Sequence, residues 1–267
     1  MANQRIHVGI GGWNYAPWRG VFYPQGLPHA RELAYASEQL TSIEINSTFY
    51  GSQKPATFRK WANETPDGFV FSLKGPRFAT NRRVLAEARD SVERFLNSGI
   101  VELGDRLGPL LWQFAPTKAF DEKDFGKFLE LLPPKLGAAR LRHVVEVRHD
   151  SFCTPAFIAL LREFSVPVVF AEHDSYPAIA DITGDFVYAR LQRGQEKLKA
   201  GYAPKALDEW AERAKLWTHG GDPKDISHVT RDAPAKQPRD VFIYFIHEAK
   251  VRAPAAAMAL IERMKDA

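Results

Sequence analysis

The chain has 267 residues, 45% hydrophobic and 25% charged, with a formal net charge of +4 and a pI near 9.1, which is a globular composition and excludes a fibrous or disordered chain. Its one cysteine, Cys153, excludes a disulfide framework and a paired-cysteine metal site. No apolar run reaches the ~20 residues of a membrane span, and residues 1–6 lack the apolar core of a secretory signal, so a cytoplasmic protein without membrane partners is expected.

Residues 6–12 form a short apolar run ending in glycines, read as strand one. The loop that follows carries Trp13, Tyr15, Trp18, Phe22 and Tyr23. This ring-rich segment is expected to plug a cavity mouth, with one or two rings turned to a ligand. Residues 31–39 are read as a helix. The stretch Thr41-Ser-Ile-Glu-Ile-Asn-Ser-Thr-Phe-Tyr50 begins as strand two. Alternation puts Ile43 and Ile45 on one side and Glu44 and Asn46 on the other. Pro55 suits the first turn of a helix to 63.

Strand three is expected over 69–74 and an amphipathic helix over 83–98. Strand four follows at 109–114, then a helix over 121–132 stopped by Pro133-Pro134. Strand five covers 143–149. Thr154-Pro155 reads as a cap and first turn for a helix to 164. Strand six spans 167–172. Residues 177–184 give no helical pattern. Strand seven covers 186–192, and a helix covers 204–218. Residues 219–239, rich in Gly, Pro and charge, read as a flexible surface excursion. Strand eight (241–247) and a helix over 254–264 complete the chain.

Strands alternating with helices predict a single-domain (β/α)8 TIM barrel over 1–267, with little or no helix between strands six and seven. A doubly wound sheet is the alternative, but Gly9-Ile-Gly-Gly12 only partly resembles a phosphate-binding glycine turn and continues into aromatics.

In such barrels active sites sit at the C-terminal strand ends. Polar residues there share one parity: Glu44 and Asn46, Ser72 and Lys74, Gln113, Glu146 and Arg148, Glu172, then Tyr188, Arg190 and Gln192, and Tyr244. One buried ion pair could explain any single case, whereas their convergence points to a ligand site. We assign candidate catalytic roles to Glu44, Glu146 and Lys74. Candidate ligand contacts are Trp13, Tyr15, Asn46, Tyr50, Gln113, Arg148, Tyr188, Arg190 and Gln192, the arginines suiting phosphate or carboxylate. His149, His173 and His247 fall at strand ends but on the opposite parity, and no metal-binding spacing occurs, so no metal and no cofactor is expected. His7, His29, His143, His219 and His228 are read as surface or strand-edge residues. Cys153 is read as a small buried residue.

Several motifs resemble the YecE-like family (domain of unknown function 72): Val8-Gly-Ile-Gly-Gly-Trp-Asn-Tyr15, Trp18-Arg-Gly-Val-Phe-Tyr23, Glu44-Ile-Asn-Ser-Thr-Phe-Tyr50, Lys74, Gly108-Pro-Leu-Leu-Trp-Gln113, Glu146-Val-Arg-His149, Tyr188-Ala-Arg-Leu191 and Asp240-Val-Phe-Ile-Tyr-Phe245. They run from end to end. The resemblance implies a TIM barrel and supplies no reaction. The chain departs from the family pattern at Gln192, where many members carry histidine, at Ile246-His247, where they carry paired asparagines, and at Glu172, often aspartate. The expected function is an enzyme acting on a small anionic or polyhydroxylated, phosphate- or hydroxyl-bearing ligand by acid/base chemistry. The alternatives are a nucleic-acid-binding or metal-dependent endonuclease-like barrel, and a non-catalytic binding barrel.

Overall fold

The computed structural model describes residues 5–232, 234–246 and 249–265. Eight parallel strands form the barrel: β1 (Ile6–Gly11), β2 (Ser42–Ile45), β3 (Val70–Lys74), β4 (Leu107–Gln113), β5 (Arg142–Glu146), β6 (Val169–Glu172), β7 (Phe186–Leu191) and β8 (Asp240–Phe245). They pair in the order β5-β4-β3-β2-β1-β8-β7-β6. The ring is nearly closed. Its seam between β5 and β6 is held by the bridge of Val145 to Val168 and by the Val145 N–H, which donates to the Pro167 carbonyl at 3.0 Å.

The α-helices are α1 (Glu32–Gln39), α2 (Ser47–Tyr50), α3 (Pro55–Asn63), α4 (Arg77–Thr80), α5 (Arg89–Leu96), α6 (Glu122–Leu129), α7 (Pro155–Phe164), α8 (Pro204–Thr218) and α9 (Ala253–Lys265). Residues 173–185, between β6 and β7, are irregular, as expected. Thr154 caps α7, its Oγ1 accepting from the Phe157 N–H at 3.3 Å, with Pro155 in the first turn. The helix expected over 83–98 is interrupted. Asp124 Oδ1 accepts from the Leu85 and Ala86 N–H groups at 2.7 and 3.2 Å and fixes a 3-10 turn there, so the α-helix begins only at Arg89. The small antiparallel pair of Lys135–Leu136 with Ala139–Arg140 was not foreseen.

Period-two alternation sorts the strand side chains. Val70, Leu111, Val144, Val169, Phe186, Tyr188, Phe242, Tyr244 and Ile246 form the apolar cluster inside the barrel. Their neighbours, among them Ile43, Phe71, Trp112, Val145 and Ala189, face the helices in a larger cluster. The rings of the aromatic loop were expected to plug the cavity mouth; Trp18, Phe22 and Tyr23 are instead buried in the outer cluster, where they meet edge-on or tilted. The Trp18 indole N–H donates to the Lys250 carbonyl at 2.8 Å, tying this loop to the segment after β8.

Three expectations about single residues are corrected. His7 and His143 are buried rather than at the surface. His7 stacks on Phe242 at 4.9 Å. The Trp112 indole donates to His143 Nδ1 at 3.0 Å, so His143 Nε2 carries the proton that it shares with the Pro133 carbonyl at 2.8 Å. Cys153 is exposed, not buried. The described residues of 219–232 and 234–239 have no regular structure but are fastened to the body. Asp181 accepts from the Val229 and Thr230 N–H groups at 2.6 and 2.8 Å, and Arg239 is 1% exposed.

Candidate functional site

A cavity of about 1030 Å³ opens at the C-terminal ends of the strands, at the upper end of the usual range for small-molecule sites. Trp13, Asn46, Tyr50, Lys74, Gln113, Arg148, Arg190 and Gln192 line it, all of them foreseen from sequence. Glu44, Glu146 and Tyr188 do not. All three are fully buried and lie beneath the floor. Tyr15 is also outside the lining and packs against Trp18 at 5.2 Å, with the Lys250 ammonium 4.4 Å from its ring.

Under the floor, Arg190 crosses the barrel from β7. Its Nε and Nη2 donate to Glu44 Oε2 and Oε1, each at 3.1 Å, and its Nη1 donates to Glu146 Oε2 at 2.6 Å. Glu146 also accepts from Gln113 Nε2 at 2.7 Å and from Arg148 Nε at 2.9 Å. Gln113 and Glu146 are register partners on β4 and β5, which places their side chains together. The Tyr188 hydroxyl completes the set, donating to Glu44 Oε2 at 2.8 Å. Register puts Ala171 and Tyr244 on either side of Arg190, and the small Ala171 leaves room for the guanidinium.

Burial alone would raise the Glu146 carboxyl, yet the Arg190 and Arg148 charges and the Gln113 amide outweigh it and hold it at about 2. The same carboxylates, working against burial, lift Arg190 further above its already high value. Buried charges that are paired and fully hydrogen-bonded are tolerated, and this set meets that condition.

Lys74 is different. It ends β3 and is 6% exposed. Its ammonium stands 4.1 Å from the centre of the Phe49 ring. Among the described residues no carboxylate lies within 4.0 Å of it, and no side chain or carbonyl hydrogen-bonds it. Burial, followed by the Arg190 charge, lowers its pKa to about 8.

Gln192 is 2% exposed, and its amide nitrogen has no hydrogen-bond partner among the described residues. Among the described lining residues there are four cationic side chains, Lys74, Arg148, Arg190 and Lys250, and no Asp, Glu or Cys. Subtracting the two buried carboxylates, Glu44 and Glu146, leaves an excess of two positive charges (four minus two).

Sequence reasoning missed Asn14, Trp61, His29 and Lys250 in the lining. Trp61 lies on α3 and meets Trp13 edge-on at 5.2 Å, a contact that strand parity cannot reveal. Glu172 is a correction. Val169 belongs to the inner cluster and Phe170 to the outer one, so Glu172 faces outward. It accepts from the Tyr202 hydroxyl at 2.7 Å and the Trp210 indole at 3.2 Å. His149 and His173 each accept from a backbone N–H two residues on, at 3.2 and 2.9 Å. His247 lies outside the described residues. Among the described residues, no group of three or more His, Cys, Asp or Glu is placed to hold a metal ion, and no helix is long and apolar enough to cross a membrane.

The profile of the family described as "Protein of unknown function DUF72" matches residues 7–267. The chain belongs to the DUF72 family. It is 27% identical over 150 residues to the UPF0759 protein YecE of Escherichia coli (strain K12), covering 55% of this chain and 50% of that protein. It is 26% identical over 158 residues to the UPF0759 protein YunF of Bacillus subtilis (strain 168), covering 57% and 54%. The chain thus spans about half the length of the curated relatives it matches. Its backbone is similar to that of a DUF72 family protein from Thermotoga maritima, with a TM-score of 0.72 and 20% identity, covering 99% of this chain and all of the other. It is also similar to SacUVDE, with a TM-score of 0.56 and 10% identity over 97% and 98% of the two chains. At these identities the solved structures speak for the barrel fold alone.

Proposed function

We propose that this DUF72 protein is an enzyme whose cavity takes a small anionic, phosphate- or hydroxyl-bearing substrate, with Lys74 as its acid/base centre. The observation that carries this reading is the nearly buried Lys74 amine, unpartnered among the described residues, on a cavity floor whose described lining holds cations without carboxylates. A group poised near the working pH exchanges protons most effectively, and Lys74 at about 8 meets that requirement. Arg148 and Lys250 supply charge for the anion, while Asn46, Gln113 and Gln192 offer amides to hydroxyl groups. The acid/base role expected of Glu44 and Glu146 passes to Lys74, because every oxygen of those carboxylates already accepts a hydrogen bond. Their part is to hold Arg190 and Gln113 in place.

A thermal-shift and calorimetric screen against phosphorylated and polyhydroxylated metabolites tests this. Stabilisation by such compounds is expected, lost in Arg148→Ala and Lys74→Met. No stabilisation by any anion, or shifts that survive both substitutions, would sink the reading. The net charge of +4 and the rings of Trp13, Tyr50 and Trp61 also suit a nucleic acid. Steeply salt-dependent binding to single- or double-stranded DNA, with no response to small anions, would favour that alternative.

A further inference from the structure

We infer that Lys74 is an amine nucleophile that forms an imine with a small aldehyde or ketone carrying a phosphate or carboxylate. The inference rests on the anion-binding reading of the same cavity and names the substrate's reactive group.

Three observations carry it. First, among the described residues nothing hydrogen-bonds the Lys74 amine or pairs with it: it faces the Phe49 ring on one side and the cavity on the other. Second, the described lining offers no Asp, Glu or Cys, and its one histidine, His29, is 60% exposed at the rim and bound to Glu32 at 3.5 Å. Chemistry that needs a second buried acid or base finds none in the lining. Covalent amine chemistry needs only the amine and a site for the carbonyl oxygen. Third, the buried Gln192 amide nitrogen on the same lining lacks an acceptor among the described residues. A buried donor left unmade costs free energy, and a ligand oxygen would satisfy it.

The step balances without an oxidant or reductant. The Lys74 nitrogen lone pair attacks the carbonyl carbon and a C–N bond forms. The carbonyl oxygen takes up the proton that the nitrogen gives up. The resulting carbinolamine takes a proton from solvent on its hydroxyl, and the C–O bond then breaks to release water and leave a protonated imine. Water addition reverses the sequence. Glu44 and Glu146, beneath the floor, offset the iminium charge as they now offset the ammonium. Arg148 and Lys250 hold the oxyanion end.

Borohydride trapping with peptide mapping tests the inference. The full chain is incubated near pH 8 with pyruvate in one arm and glyceraldehyde 3-phosphate in another, then reduced. The expected result is an adduct on Lys74 in at least one arm, its mass increased by the probe plus two hydrogens less one water. At that pH its uncharged fraction exceeds that of an exposed lysine by roughly a hundredfold, so labelling more than about tenfold faster than at any other lysine is expected. Inorganic phosphate should suppress the adduct, and Lys74→Met, with an unchanged circular dichroism spectrum, should lack it. Calorimetric binding of phosphate without any Lys74 adduct overturns the imine and leaves the anion site standing. Adducts spread over exposed lysines in proportion to exposure also overturn it. Absence of both adduct and anion binding removes the cavity reading itself, and the imine with it.

Discussion

Arg190 and Glu44 meet in a two-pronged pair across the barrel interior, Nε to Oε2 and Nη2 to Oε1, both at 3.1 Å and both out of reach of solvent. The third arm of the guanidinium holds Glu146. One arginine thus joins β7 to β2 and β5, and the cavity floor is rigid because its position is fixed from three strands. Removing one partner of such a buried pair leaves the other uncompensated and costs about 3–5 kcal/mol. Arg190→Met, which strands two carboxylates, is expected to lose at least that much in urea unfolding. Glu44→Gln added to Arg190→Met should recover part of it. A coupling energy below about 0.5 kcal/mol between the two sites would show that the pair does not hold the floor.

Acid should unfold the protein in two windows. Burial lowers His143 from 6.5 to about 4. The unfolded chain therefore binds more protons between those values, and stability falls as pH drops from 6.5 towards 4. Glu146, held at about 2 against an ordinary 4.5, contributes stability that is full above 4.5 and is lost as pH falls towards 2. Each window is worth about 3 kcal/mol on the usual conversion of pKa to free energy. Urea midpoints measured against pH should show both. His143→Gln, which retains an acceptor for Trp112, should flatten the upper window and leave the lower one. An unchanged upper window in that variant would assign the acid loss to another group.

Alkaline pH should act oppositely through Lys74. Its folded value of about 8 lies below the ordinary 10.5, so the unfolded chain holds the extra proton between them. Stability therefore rises as pH rises from 8 to 10.5 and is reduced by this residue below 8. Lys74→Met is expected to be more stable than the parent at pH 7, by up to about 3 kcal/mol, with the difference closing towards pH 10.5. Equal melting temperatures across that range would mean that Lys74 is charged and comfortable, which would also weaken its assignment as the reactive amine. A stabilising substitution at a site of function is the expected trade of stability against activity.

The barrel and most of its cavity wall were legible because side-chain period two fixes facing once a strand is recognised. Asn46, Lys74, Gln113, Arg148, Arg190 and Gln192 were placed on one wall by parity alone, and the structure lines the cavity with all six. Parity says nothing of depth or of distance across a barrel. Glu44 and Tyr188 share the wall's parity but lie a layer lower, and only the folded ring shows that Arg190 spans from β7 to both glutamates. Strand six defeated the method because Val-Val-Phe-Ala offers no alternation to read, and Glu172 was turned the wrong way. His143 was misplaced for a related reason. Its burial depends on Trp112 and Pro133, ten or more residues away, supplying partners for both ring nitrogens.

The glycines of Gly9-Ile-Gly-Gly12 divide sharply in what they require. A Cβ on Gly9 would lie 1.9 Å from the Ser42 carbonyl oxygen and 2.6 Å from its carbon. Gly9 and Ser42 are register partners on β1 and β2, so the obstacle is backbone that the sheet itself holds. Gly12 has φ +71° with nothing within 4 Å of its Cβ position. Gly9→Ala is therefore expected to cost more than about 4 kcal/mol, in the range reserved for severe steric conflict, and to give insoluble or unfolded protein. Gly12→Ala should cost only the left-handed backbone term, about 1–2 kcal/mol, and stay folded. The two substitutions differ in position by three residues and in chemistry not at all, so a melting-temperature comparison isolates close strand approach as the cause. If both variants melt together, the glycine at position 9 serves some other end, and the β1–β2 spacing needs another explanation.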